Sequence, residues 1–214
     1  MPVDAQPAVD LADGHLGNAR LHRWLLGTYL VWWVALAIAP LHRMDWFLEN
    51  ILAVLLVGLM AGTYRRFQLS DRSYVLITLF MMLHAIGAHY TYEDVPAGDW
   101  VRDALGLQRN HFDRVAHFSF GLLLSYPIRE LFVRLARLTG FWGHYFTLTT
   151  VIALSGFFEI LEAWVAQIVS PELGALYLGT QGDIWDAQHD MASAFVGAVL
   201  CTGLIAVLER PSNR

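Results

Sequence analysis

Six apolar stretches, at about 24–41, 46–64, 74–90, 115–132, 141–169 and 187–208, take up most of this 214-residue chain. A helix needs about 20 apolar residues to cross the hydrocarbon core of a bilayer, and each stretch is that long or nearly so. Backbone buried in hydrocarbon must satisfy its own hydrogen bonds, and the alternation of a membrane barrel strand is absent, so these stretches read as helices. The expectation is an all-α, polytopic membrane bundle of about six transmembrane helices, forming one domain over 24–208. Residues 1–23, with Asp4, Asp10, Asp13, Pro2 and Pro7, read as a flexible tail, and 209–214 as a second, short one.

Composition agrees and removes several function classes. Hydrophobic residues make up 56% of the chain and charged ones 15%, against about a quarter charged in a soluble domain. All 14 basic residues are arginines, which excludes a phosphate-binding loop or a Schiff base built on lysine. The single cysteine, Cys201, lies in an apolar run and supports neither a disulfide framework nor a thiolate metal site. A net charge of −5 without a basic cluster gives no footprint for nucleic acid.

The arginines also orient the bundle. With the N-terminus in the cytoplasm, the inner segments hold Arg20, Arg23, Arg65, Arg66, Arg72, Arg129, Arg134, Arg137, Arg210 and Arg214, and the outer ones only Arg43, Arg102, Arg109 and Arg114. That bias places both termini in the cytoplasm.

Ionisable side chains inside a membrane cost at least about 2.5 kcal/mol each near the centre, so they mark function or an internal network. They form four groupings: His84 and His89 late in the third stretch, Asp113 and His117 at the start of the fourth, Glu159 and Glu162 late in the fifth, and Asp183, Asp186 and Asp190 at the start of the sixth. Alternating helix direction brings all four to the outer leaflet. Within the last three groupings the spacings are i,i+4, i,i+3 and i,i+3,i+7, so each set can face one way into the bundle. Six carboxylates at close quarters need protons or cations, the candidates being Arg109, Arg114, a protonated histidine or a bound divalent metal.

Glu159, Asp190 and His117, the deepest, are the candidate catalytic groups, and Glu159, Glu162, Asp183, Asp186, Asp190 and His117 the candidate metal ligands. His84, His89, Asp113, Arg114 and Arg109 are expected as supporting or substrate-binding residues. Glu49 and Asn50 read as interfacial, with a satellite partnership to the cluster as the alternative, and Glu130 with Arg129, Arg134 and Arg137 as a solvated cytoplasmic face. No Gly-x-Ser-x-Gly elbow and no His-Glu-x-x-His zinc motif occurs; Ser155, near Glu159, is a weak candidate nucleophile.

The order of motifs resembles the YjdF-type inner-membrane family over nearly the whole chain. The likeness rests on His84…His89-Tyr90, Arg109-Asn110…Asp113-Arg114…His117-Phe118, Glu159-Ile160…Glu162 and Gly182-Asp183…Trp185-Asp186…Asp190-Met191. More distantly the chain looks like VanZ-like proteins, a group associated with glycopeptide resistance. It departs from their pattern at Asp190, where asparagine is usual, and at Glu162, where glutamine is frequent. These resemblances imply fold and membrane location and carry no reaction. The leading functional expectation is a site at the outer leaflet, metal-assisted or not, that binds or acts on a membrane lipid or lipid-linked envelope substrate. A proton-coupled transporter and a structural module without catalysis are the alternatives, and enzyme status and oligomeric state stay open.

Overall fold

A computed structural model describes residues 17–209. The outer parts of both expected tails, 1–16 and 210–214, with Arg210 and Arg214, lie outside the described residues. Among the described residues the fold is all-helical, with eight helices: α1 Ala19–Ala37, α2 Arg43–Thr63, α3 Asp71–Tyr90, α4 Pro96–Leu105, α5 Phe112–Ala136, α6 Gly140–Ile168, α7 Pro171–Leu178 and α8 Asp186–Leu208. The six long ones coincide with the six apolar stretches. The short α4 and α7 occupy segments that read as loops, each opened by proline at its first turn and closed by a left-handed glycine, Gly106 or Gly179.

The first helix starts earlier than hydropathy alone suggests. Asn18 caps α1 by accepting from the backbone N–H groups of Arg20 and Leu21, so the turn holding His22 is helical although polar. His22 is buried there, bonded to Asp71 (2.8 Å) and to the Tyr64 hydroxyl (2.9 Å).

By length and composition α2, α3, α6 and α8 can each cross a membrane. Helix α5 does not qualify, because its 25 residues include Asp113, Arg114, Arg129, Glu130 and Arg134. It occupies the middle of the bundle instead, packed against α3, α6 and α8, so its polar groups meet protein rather than lipid. The packing inverts the pattern of a soluble protein. On α6, Gly143, Thr147, Val151 and Ser155 face inward, while Ile152, Phe157, Ile160 and Trp164 are exposed. Small residues inside and large apolar ones outside are what a bundle solvated by hydrocarbon needs.

The closest approach is between α5 and α8. A Cβ on Gly121 would collide with the backbone carbonyl of Ala194, and one on Gly197 with the backbone of Phe118 and Leu122. Glycine at both places lets the two backbones touch. Because His117 lies one turn from Gly121, and Asp190 one turn from Ala194, this crossing also sets the register of the polar residues above it.

A polar network closes the far end of the bundle. Glu130, 1% exposed, accepts from the Ser70 N–H (2.7 Å) and from the hydroxyls of Ser70 (2.7 Å) and Ser73 (2.5 Å), and pairs with Arg134 at 2.7 Å. Arg129, 3% exposed, pairs with Glu209 at 2.7 Å. The expected solvated face is therefore corrected: Glu130 and Arg129 are interior, because they join the start of α3 to the end of α5 and the end of α5 to the end of α8.

Candidate functional site

The start of α5, the end of α6 and the start of α8 meet at one end of the bundle and sort the polar residues into two layers. The outer layer is an ion-paired cap. Arg109 bonds to Asp186 and Arg114 to Asp183, with the crossed separations, Arg109 to Asp183 and Arg114 to Asp186, both 3.6 Å. His189 adds a contact to Asp183 at 2.9 Å. The Trp185 backbone N–H and the His189 ring, together with Arg114, hold the Asp183 carboxyl down at about 2.

Asn110, fully buried, clamps this cap. Its side chain donates to the Val95 carbonyl and to Asp99 and accepts from the Phe112 N–H, while its backbone exchanges hydrogen bonds with the Gln181 side chain at 2.8 and 3.0 Å. Loop 106–111 and loop 179–185 are thus tied together over the bundle end.

Beneath the cap lies the core of the site. One ligand atom each from Asp113, His117 and Asp190 lie within 4.8 Å of one another. His117 Nε2 stands 3.6 Å from Asp113 Oδ1 and 3.5 Å from Glu159 Oε1, and His117 Nδ1 is 3.4 Å from the Ser155 hydroxyl. His117 is therefore the common neighbour of Asp113, Glu159 and Asp190. Asp190, 2% exposed, leaves Oδ1 without a hydrogen-bond partner among the described residues, and Glu159 leaves Oε1 so. The carboxyl groups of Glu159 and Glu162 touch each other, a contact such groups make by sharing a proton or a cation.

Charge balance separates the layers. In the cap, the two guanidinium groups are matched by the carboxylates of Asp183 and Asp186. The arginines are thereby spent, leaving Asp113, Glu159 and Asp190 around one imidazole, with Glu162 one turn from Glu159 on α6. Protons or a metal ion are what remain to neutralise them. The spacing suits a small ion: N and O ligands about 2.1 Å from a tetrahedral metal lie about 3.4 Å apart, close to the separations at His117 Nε2.

A cavity of about 330 Å³ opens beside this core. Its polar end is formed by His84, Tyr92, Asp113, His117, Ser155 and Glu162, and the rest is apolar, including Leu56, Phe80, Met81 and Phe120. Leu52 of α2 with Leu154 and Phe157 of α6 line it too and are 42%, 45% and 52% exposed, so the cavity reaches the lipid-facing surface between these helices.

Of the residues singled out from sequence, Asp113, His117, Glu159, Glu162 and Asp190 come together in the core. Asp183, Asp186, Arg109 and Arg114 come together in the cap, where Asp183 and Asp186 are engaged by arginine. Asp113, expected as a supporting residue, stands among the potential ligands. His84 joins through the cavity and shares a hydrogen bond with the Tyr92 hydroxyl. His89 turns toward α1, bonded to the Leu36 carbonyl at 2.7 Å. Glu49 and Asn50 are corrected from interfacial to interior, 5% and 4% exposed, with Asp45 at 1%. Glu49 lies within electrostatic reach of Asp113, and buried Tyr177 of α7 within reach of Glu49 and Glu162. Asp45 and Glu49 are i,i+4, a spacing that could have flagged them; Tyr92, Tyr177 and Asn110 carry no such signal.

Residues 21–211 match the family described as "Predicted membrane protein (DUF2238)". The chain belongs to this family. It is also 36% identical over 158 residues to the inner membrane protein YjdF of Escherichia coli (strain K12), an alignment covering 73% of this chain and 75% of that one. No solved structure matches the chain. It is a multi-pass integral protein of the inner membrane.

Proposed function

We propose that the chain binds, and acts on, a lipid or lipid-linked envelope substrate at the outer leaflet, with a divalent metal held by Asp113, His117 and Asp190 and flanked by Glu159. The observation that carries this reading is the cavity: one end is polar and abuts the carboxylate–imidazole core, the remainder is apolar, and its mouth lies at the lipid-facing surface. That is the shape of an amphiphile, headgroup at the core and chain toward the bilayer. A metal there supplies Lewis-acid polarisation of a headgroup oxygen. Glu159 and Glu162 would exchange a proton with a bound group, and Ser155, 3.4 Å from His117 Nδ1, would help orient the ring.

The proton-relay alternative needs polar continuity to the other membrane face. Between the core and the Glu130 network lie Val151, Ala194, Ala198 and Leu124, all buried and apolar. Ser125, Thr147 and Thr202 each return their hydroxyl to a carbonyl of their own helix four residues back, which supports a site rather than a relay.

The test combines two measurements on protein purified in detergent without chelator. A phospholipid carrying a photoreactive acyl chain is expected to crosslink to α2 and α6 near Leu56 and Phe157, and Leu56→Trp to abolish that product. Elemental analysis is expected to find close to one divalent metal per chain. Crosslinks spread evenly over the lipid-facing surface would overturn the amphiphile site, and less than about a tenth of a metal per chain the metal.

A further inference from the structure

A second cavity, about 520 Å³, lies at the opposite end of the bundle between α1, α2 and α3. Helices α1 and α2 both pack on α3, leaving a lateral cleft between them that α3 floors. The deep part is mostly apolar, with Tyr29, Val57, Met60, Ile77 and Met81. The mouth is polar: His22, Arg23, Tyr64 and Tyr74 line it. Leu26 lines it too and is 43% exposed, so this cleft also opens to hydrocarbon.

The charge at that mouth is one-sided. Arg23 lines the cavity, is exposed, and makes no ion pair among the described residues; its Nε donates to the Ala19 carbonyl. Arg20, one turn earlier, and Arg65 and Arg66, just past the end of α2, are exposed at the same end. Asp71, beside the cavity, accepts from the cavity-lining His22 and from the Asn18 N–H through Oδ1. Arg23 thus stands at the edge of an apolar slot, with Arg20, Arg65 and Arg66 exposed at the same end of the bundle.

We infer that this cleft binds an anionic phospholipid, its phosphate at Arg23 and the neighbouring arginines and one acyl chain in the slot down to Met81. Basic pockets between transmembrane helices recognise acidic headgroups by the same charge complementarity. Zwitterionic lipid has the same chain but no net charge to match the rim. Met81 also lines the cavity beside the carboxylate core, so a chain in this cleft ends on a side chain shared with that site. The inference does not depend on what that site does.

Thermal unfolding of the full chain in detergent, with added phosphatidylglycerol or phosphatidylcholine, tests it. Phosphatidylglycerol is expected to raise the midpoint by about 4 °C or more above phosphatidylcholine once it is well above its dissociation constant. Ala61→Trp, which fills the cleft from an exposed position of α2, should erase the difference, and Arg23→Gln should reduce it by half or more. Leu55→Trp, exposed to lipid and lining neither cavity, should preserve it. Equal shifts with both lipids overturn the proposal. So does an undiminished preference in Ala61→Trp and Arg23→Gln, which would assign it to the arginine belt at large, or an equal shift from inorganic phosphate alone.

Discussion

Around His117, three carboxyl groups face one imidazole while the two nearby arginines are already paired, and this division sets what single substitutions should do. Removing a ligand from the core ought to lower metal affinity far more than loosening the cap. Asp190→Asn and His117→Ala are each expected to weaken zinc binding about 100-fold or more, whereas Asp183→Asn should change it by less than about 10-fold. Competition against a chromophoric chelator reads both. Equal losses in all three variants would mean that cap and core are one network. The spacing of Asp183, Asp186 and Asp190 puts them on one helical face, but only the fold shows that Arg109 and Arg114 reach the first two.

At the level of elements, the α5–α8 crossing does two things at once. It brings two backbones into contact through Gly121 and Gly197, and it holds His117 opposite Asp190 one turn away. Gly121→Ala must push the helices apart at the Ala194 carbonyl, with an expected loss of about 1–3 kcal/mol of stability. Gly203→Ala, on the same helix α8 with nothing within 4 Å of the added carbon, should be neutral or slightly stabilising. Unfolding in mixed micelles with increasing denaturing detergent compares the two. Should Gly121→Ala match the native chain, the close approach is not what sets the register.

For the whole molecule, four helices, α2, α3, α6 and α8, are long and apolar enough to cross a membrane. If all six long helices cross, with both termini cytoplasmic, α4 lies outside and the end of α5 inside. With Cys201 replaced by serine, Asp103→Cys is then expected to react with an impermeant maleimide in intact spheroplasts, and Ala136→Cys only after permeabilisation. Both positions are exposed, so access is decided by the membrane alone. Labelling on the same side would mean that α5 does not cross and would undo the outer-leaflet assignment.

Length and hydropathy alone determined the all-α membrane class and the positions of the six long helices, because lipid leaves the backbone no other way to satisfy its hydrogen bonds. Helical spacing likewise brought Asp113 with His117 and Glu159 with Glu162, since those pairs lie within one helix. What lies between helices was decided by tertiary structure. Glu49 and Glu130 have the same surroundings in sequence as an interfacial residue, yet each is interior because the face of α2 or α5 that carries it is turned toward α3 and its partners. Tyr92 reaches His84 through the turn after α3, and Asn110 reaches Gln181 across 71 positions of chain. The separation of cap from core depends on which carboxylates the two arginines meet. Local periodicity fixes the face of a helix on which a charge sits, but the desolvation of that charge depends on which other helix covers the face, and only the packed bundle specifies that.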